Sequence, residues 1–161
     1  MRIAVLTVSD RCGSGQAEDK SGPLICELLR ERAETAAYRI VPDEQELISA
    51  ALIEMSDVLQ CDVVFTTGGT GFAPRYVTPE ATKAVLEKET PGIPEAIRAE
   101  SLKITPRAML SRAAAGIRGK TLIVNLPGSP KAVRESLAVV LPVLDHALET
   151  MNGRTLSCGK E

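Results

Sequence analysis

The chain is predicted to fold as an α/β domain on a mostly parallel sheet. Short β-branched apolar runs alternate with amphipathic helical segments along the sequence. Those runs lack polar–apolar alternation, as strands buried on both faces do. The polar and glycine-rich loops at 9–22, 42–46, 66–79 and 125–131 each follow such a run. They should meet at the carboxyl edge of the sheet, where parallel sheets bind ligands. With 161 residues, 44% of them hydrophobic, one domain can bury a real core. The expected division is a single domain over 1–152 and a polar tail over 153–161.

The elements follow in order. RIAVLTV, residues 2–8, is the first strand, and SDRCGSGQAEDKSG a long polar loop. Ser21-Gly22-Pro23 opens a helix, with Pro23 in the first turn where its missing N–H costs nothing. Leu24, Ile25, Leu28 and Leu29 give this helix an apolar stripe. AYRIVP is the second strand. Asp43 then reads as an N-cap, with Glu46 three residues on completing a capping box. That helix runs to about Leu59, with Leu47, Ile48, Ala51, Leu52 and Met55 on one face. CDVVFTT is the third strand. Thr78 reads as the next N-cap, with Pro79 at the first helical position and Glu80 in the first turn. PGIPEAIRAESLKI holds further helix, and TLIVNLP is the fourth strand. Ser129 caps a terminal helix over about 130–150, which Pro142 should kink or split.

Composition removes several function classes. Aromatics make up 2% of the chain, which leaves no stacking platforms for single-stranded nucleic acid. A net charge of −2 argues against a nucleic-acid surface. Cys12, Cys26, Cys61 and Cys158 show no CxxC spacing, and His146 is the one histidine, so a Cys/His zinc site is not expected. Cys26 and Cys61 sit among apolar neighbours and read as small core residues. No run approaches the ~20 apolar residues needed to cross a bilayer, and the first strand is too short for a signal segment. A cytoplasmic protein with reduced thiols is expected.

The chemistry concentrates in the strand-end loops. Gly68-Gly69-Thr70-Gly71 suits a backbone that approaches anionic oxygens closely, and equally a tight turn with no ligand. It is not a dinucleotide fingerprint, because Pro74 stands where the third glycine belongs. Gly119-Lys120-Thr121 is no phosphate loop either: Ala114 replaces the leading glycine, and a strand follows. Asn125-Leu126-Pro127-Gly128-Ser129-Pro130-Lys131 leads into a helix N-terminus, a plausible anion site or plain capping by Ser129. Ser9, Asp10, Asp19, Ser21 and Gly22 border the first loop and can grip a polar heterocycle, though loops are commonly built of such residues. Asp43 is compatible both with capping and with holding Mg²⁺ against a triphosphate. Arg112 can clamp phosphate or lie on the surface.

LTVSDR, DKSG, PDEQ, TTGGTG, RxVTPEAT, LSRAAAGIRG and LPGSPKAV occur in that order. Together they resemble the molybdopterin adenylyltransferase family, the bacterial MogA/MoaB type and the G domain of gephyrin-like proteins, over about residues 2–150. The resemblance implies a three-layer α/β domain, helices flanking the sheet, assembled as a homotrimer. It implies molybdenum cofactor biosynthesis: AMP passes from Mg²⁺-ATP to the terminal phosphate of molybdopterin, releasing pyrophosphate. Gly68, Gly69, Thr70 and Gly71 match the nucleotide loop. Ser9, Asp10, Asp19, Ser21 and Gly22 match molybdopterin-binding segments, and Pro127, Gly128, Ser129 and Lys131 the loop for the pterin phosphate. Asp43 matches one of two essential catalytic acids and a Mg²⁺ ligand. The second departs: the family reads RDVTPEA, and here Tyr76 takes the aspartate's place. A neutral phenol is a poor Mg²⁺ ligand. Either Asp10, Glu44 or Glu80 covers for the missing acid, or the chain binds molybdopterin as a non-catalytic carrier.

Overall fold

The computed structural model describes residues 1–153. The tail read over 153–161, with Cys158, therefore lies outside the described residues apart from Gly153. The chain runs β1 (Arg2–Val8), α1 (Asp10–Gly13), α2 (Ser21–Leu29), β2 (Glu34–Val41) and α3 (Gln45–Ile53), which continues into a π-helical turn at Glu54–Val58. It goes on through β3 (Val63–Thr67), α4 (Thr78–Val85), β4 (Lys88–Glu89), α5 (Gly92–Leu102) and a 3₁₀ turn at Pro106–Leu110. β5 (Ala115–Arg118), β6 (Thr121–Leu126) and α6 (Pro130–Met151) complete it. Among the described residues six strands form one sheet in the order β2-β1-β3-β6-β5-β4. The pairs β1–β2, β1–β3 and β3–β6 are parallel, whereas β4–β5 and β5–β6 are antiparallel.

Each face of the sheet carries its own core, which explains the unbroken apolar runs. Ile3, Val5, Phe65, Val124 and Leu126 pack with Leu24, Ile25 and Leu29 of α2, Ile97 of α5 and Val133, Leu137, Val140 and Leu144 of α6. Ala4, Leu6, Val8, Val64 and Ile123 point the other way, onto Ile48, Ala51 and Leu52 of α3 and Ala81 and Val85 of α4. The result is a three-layer α/β domain. At its centre Asn125, fully buried, donates from Nδ2 to Thr66 Oγ1 (3.0 Å) and Thr82 Oγ1 (2.8 Å) and accepts from Ala114 N–H (3.1 Å).

Several sequence expectations change. β4 and β5 add two strands to the four read from sequence. Gly119-Lys120 is the two-residue turn of the β5–β6 hairpin, with Gly119 at φ +56°. Asp43 does not cap α3: Glu44 occupies that position without a side-chain cap. Thr78 is the first residue of α4 and not its cap, and its buried hydroxyl has no hydrogen-bond partner among the described residues. Leu47 is 45% exposed, so the buried face of α3 keeps Ile48, Ala51 and Leu52. Pro142 does not split α6, which runs 22 residues unbroken.

Candidate active site

Connections leave β1 toward β2 on one side and return to β3 on the other, so the switch point falls between β1 and β3. There the loops after four strands are tied together. Ser9 N–H donates to Val41 C=O at 2.9 Å. Thr67 Oγ1 donates to Pro127 C=O at 2.7 Å, and Ser21 Oγ to Gly128 C=O at 2.8 Å. They enclose an open cavity of about 670 Å³, within the usual size of a small-molecule site. Ser9, Asp10, Asp19, Ser21, Asp43, Gly68–Gly71, Tyr76, Gly128 and Ser129 all line it. Gly22, Pro127 and Lys131 do not. Lys131 is exposed and lies 3.9 Å from Glu135.

Asp43 stands out. It is 5% exposed, and its Oδ1 has no hydrogen-bond partner among the described residues. Its Oδ2 accepts from Asp10 N–H at 2.9 Å, while its own N–H donates to Asp10 Oδ1 at 3.0 Å. This reciprocal pair turns the carboxylate away from α3. Burial pushes the Asp43 pKa up, and the Asp10 charge adds to it, against the Asp10 N–H and the Arg75 charge. Asp10 behaves oppositely. Arg75 grips it from both Nε (3.0 Å) and Nη2 (2.9 Å), holding its pKa below the ordinary carboxylate value.

Asp19 is occupied on both oxygens. Oδ1 accepts from Ser21 N–H (2.9 Å) and Gly22 N–H (3.1 Å), and Oδ2 from Thr7 Oγ1 (2.5 Å) and Tyr38 OH (2.7 Å). Burial raises its pKa, but these four donors outweigh it and the net shift is downward. Asp19 thus shapes the loop and anchors α2, and a Cβ at Gly22 would press on Asp19, Thr7 and Tyr38 at 2.5 Å. Arg112 is equally committed. It donates to Gly71 C=O (3.0 Å) and Tyr76 C=O (2.7 Å) and pairs with Glu80, so it staples the two halves of the 66–79 loop and is not free to clamp phosphate. Ser129 caps α6 through Ala132 N–H at 3.3 Å. His146 is exposed.

Sequence reasoning assigned no role to Thr7, Tyr38 or Arg75. Thr7 lies inside a buried strand and Tyr38 on the edge strand, and neither stretch looks like a site. Arg75 had a visible signal, since it opens the RxVTPEAT motif.

Comparison with known proteins identifies the family of the chain. The family model described as "Probable molybdopterin binding domain" matches residues 4–146. Molybdopterin adenylyltransferase of Helicobacter pylori strain J99 is 47% identical over 164 residues, covering 100% of this chain and 93% of the relative. The Escherichia coli K12 protein of the same name is 45% identical over 140 residues, covering 85% of this chain and 72% of that one. Among solved structures, the molybdopterin biosynthesis enzyme MoaB of Thermus thermophilus superposes with a TM-score of 0.89 at 50% identity, covering 94% of this chain and 96% of that one. The chain belongs to the molybdopterin-binding domain family of molybdenum cofactor biosynthesis.

Proposed function

We propose that this protein is a molybdopterin adenylyltransferase. A terminal phosphate oxygen of molybdopterin attacks the α-phosphorus of ATP, the bond to the β-phosphate oxygen breaks, and pyrophosphate leaves. One observation carries the reading: Asp43, nearly fully buried, lines the cavity between the glycine loop and the α6 N-terminus, and its buried Oδ1 has no hydrogen-bond partner among the described residues. The names of relatives at 45–47% identity support it. Gly68–Gly71 receive the nucleotide, and Gly128 and Ser129 the pterin phosphate at the positive end of α6.

Mg²⁺ fits this donor set as a one-carboxylate site. Among the described residues no group of three His, Cys, Asp or Glu side chains could hold a metal. The acids considered as substitutes are engaged: Asp10 by Arg75, Glu80 by Arg112, and Glu44 lies 4.0 Å from Arg75. Mg²⁺ is commonly held by one or two carboxylates plus substrate phosphates and water, so Asp43 would be its protein ligand. When bound, Mg²⁺ would offset phosphate charge as pyrophosphate forms. The Asp10 N–H fixes Asp43 in orientation, and Arg112 fixes the loop that carries Tyr76.

The test is direct. Protein incubated with molybdopterin and ATP should release pyrophosphate, and chelating Mg²⁺ should stop it. No pyrophosphate above background, with molybdopterin still bound, would leave a carrier.

We further propose a cytoplasmic homotrimer of single domains spanning 1–152. Cys12, Cys26 and Cys61 are free thiols, which suits a reducing compartment. Leu102, Ile104, Met109 and Leu110 are each 45–64% exposed along one segment, an apolar surface suited to self-association. Sedimentation equilibrium should return a mass near three chains; a mass near one chain would exclude the trimer.

A further inference from the structure

We infer that the Tyr76 ring is the platform on which the purine base of the nucleotide stacks, an inference that rests on the adenylyl-transfer reading. The chain has two tyrosines and two phenylalanines. Phe65 is fully buried in the core, and Tyr38 is committed to Asp19. Phe72 is 66% exposed, and among the described residues Tyr76 is the one aromatic lining the cavity.

The backbone of Tyr76 is tied in place while the ring keeps open surface. Its N–H donates to Ala73 C=O at 2.9 Å, and its C=O accepts from Arg112 at 2.7 Å. The ring leans on the glycine loop: a Cβ at Gly71 would lie 3.5 Å from Cδ2 and 3.7 Å from Cε2. Yet the residue stays 40% exposed. A half-open aromatic face on a tied backbone suits a flat fused heterocycle, because stacking needs area and little conformational loss.

The order along the glycine loop decides which heterocycle. At one end Gly128 abuts Gly68, with its Cβ position 3.3 Å from the Gly68 Cα. Gly69 comes next, its Cβ position 3.0 Å from Asp43 Oδ1, and Gly71 lies against Tyr76 at the other end. The Gly128–Ser129 end takes the pterin phosphate and the middle takes the reacting phosphates. The base of the nucleotide then extends to the remaining end, onto Tyr76. On this view the tyrosine exchanges a metal-binding carboxylate for a base contact.

The experiment compares wild type, Tyr76→Phe and Tyr76→Leu by calorimetric titration with a non-hydrolysable ATP analogue and, separately, with molybdopterin. A circular-dichroism melt confirms that each variant is folded. Tyr76→Phe should bind the analogue as wild type does. Tyr76→Leu should bind it roughly 5- to 150-fold more weakly, with molybdopterin affinity unchanged and the loss appearing in KM for ATP more than in kcat. The protein lacks Trp, so in a Tyr38→Phe background tyrosine emission comes from position 76 alone, and the analogue should quench it. Wild-type affinity for the analogue in folded Tyr76→Leu overturns the inference. So does a loss confined to molybdopterin, which would assign the ring to the pterin. If wild type binds both ligands but releases no pyrophosphate, the adenylyl-transfer reading fails while the binding arms still judge the ring.

Discussion

Asp43→Asn should lower pyrophosphate release by roughly 10²- to 10³-fold, the usual cost of losing a charge-stabilising group in a polar active site, while leaving the fold at least as stable as wild type. The two effects separate because of what Asp43 does in the structure. It does not cap α3, and among the described residues its one side-chain hydrogen bond, from Asp10 N–H, can be kept by an asparagine oxygen. What the substitution removes is a buried negative charge whose pKa is raised, first by burial and then by the charge of Asp10. The sign follows from linkage. Between the unfolded value, near 3.8, and the higher folded value, the native state binds more protons than the unfolded chain. Ionised Asp43 therefore costs stability, and the cost grows as pH rises through that window. The stability advantage of Asp43→Asn should be full at pH 7 and vanish well below pH 4. Denaturant melts at the two pH values, beside the pyrophosphate assay, measure both halves. A variant much less stable than wild type at pH 7 would return Asp43 to a structural role. Asp10 and Asp19, whose pKa values are lowered, act in the opposite sense: their stabilisation is present above the unfolded value and is lost as pH falls through the folded one.

The parallel half of the fold was readable because β1, β3 and β6 are buried on both faces and leave unbroken apolar runs. The antiparallel edge was not. β4 is two exposed charged residues, and β5 is Ala-Gly-Ile-Arg, a segment too short and too small to show a period. Its hairpin signal was only Gly119-Lys120. At the site, position along the chain was enough to bring the four strand-end loops together, since topology alone sends them to one edge. Side-chain commitments were not legible. Asp43 with Glu46 satisfies the spacing of a capping box, but its carboxylate goes to Asp10, 33 residues away. Arg112 reads as a free cation until its partners at Gly71, Tyr76 and Glu80 are seen. In each case a long-range contact overrode a local pattern, and local patterns were all the sequence could offer.

Gly68→Ala should be the most damaging single-methyl change in the glycine loop, costing about 3 kcal/mol or more. Gly68 sits at φ +95°, a backbone conformation that side chains rarely adopt, so strain arises before any contact is counted. The added Cβ would also strike the Val8 carbonyl oxygen. That oxygen belongs to a buried strand end and cannot rotate aside as a flexible side chain would. Gly68 is moreover where three strand ends meet. It follows β3, presses on the end of β1, and donates its N–H to Leu126 C=O of β6 at 3.3 Å. Relief in any direction moves a sheet strand or shifts Gly69 against Asp43. For a domain of this size the expected fall in Tm is about 6–12 °C, accompanied by loss of turnover. Gly71→Ala is the control. Gly71 has no left-handed φ, and its Cβ would make only ordinary contact with the Tyr76 ring at 3.5 Å. It should melt within about 2 °C of wild type. Equal melting temperatures for the two variants would mean that the loop yields at Gly68, and that its glycines serve the ligand alone and not the join between β1, β3 and β6.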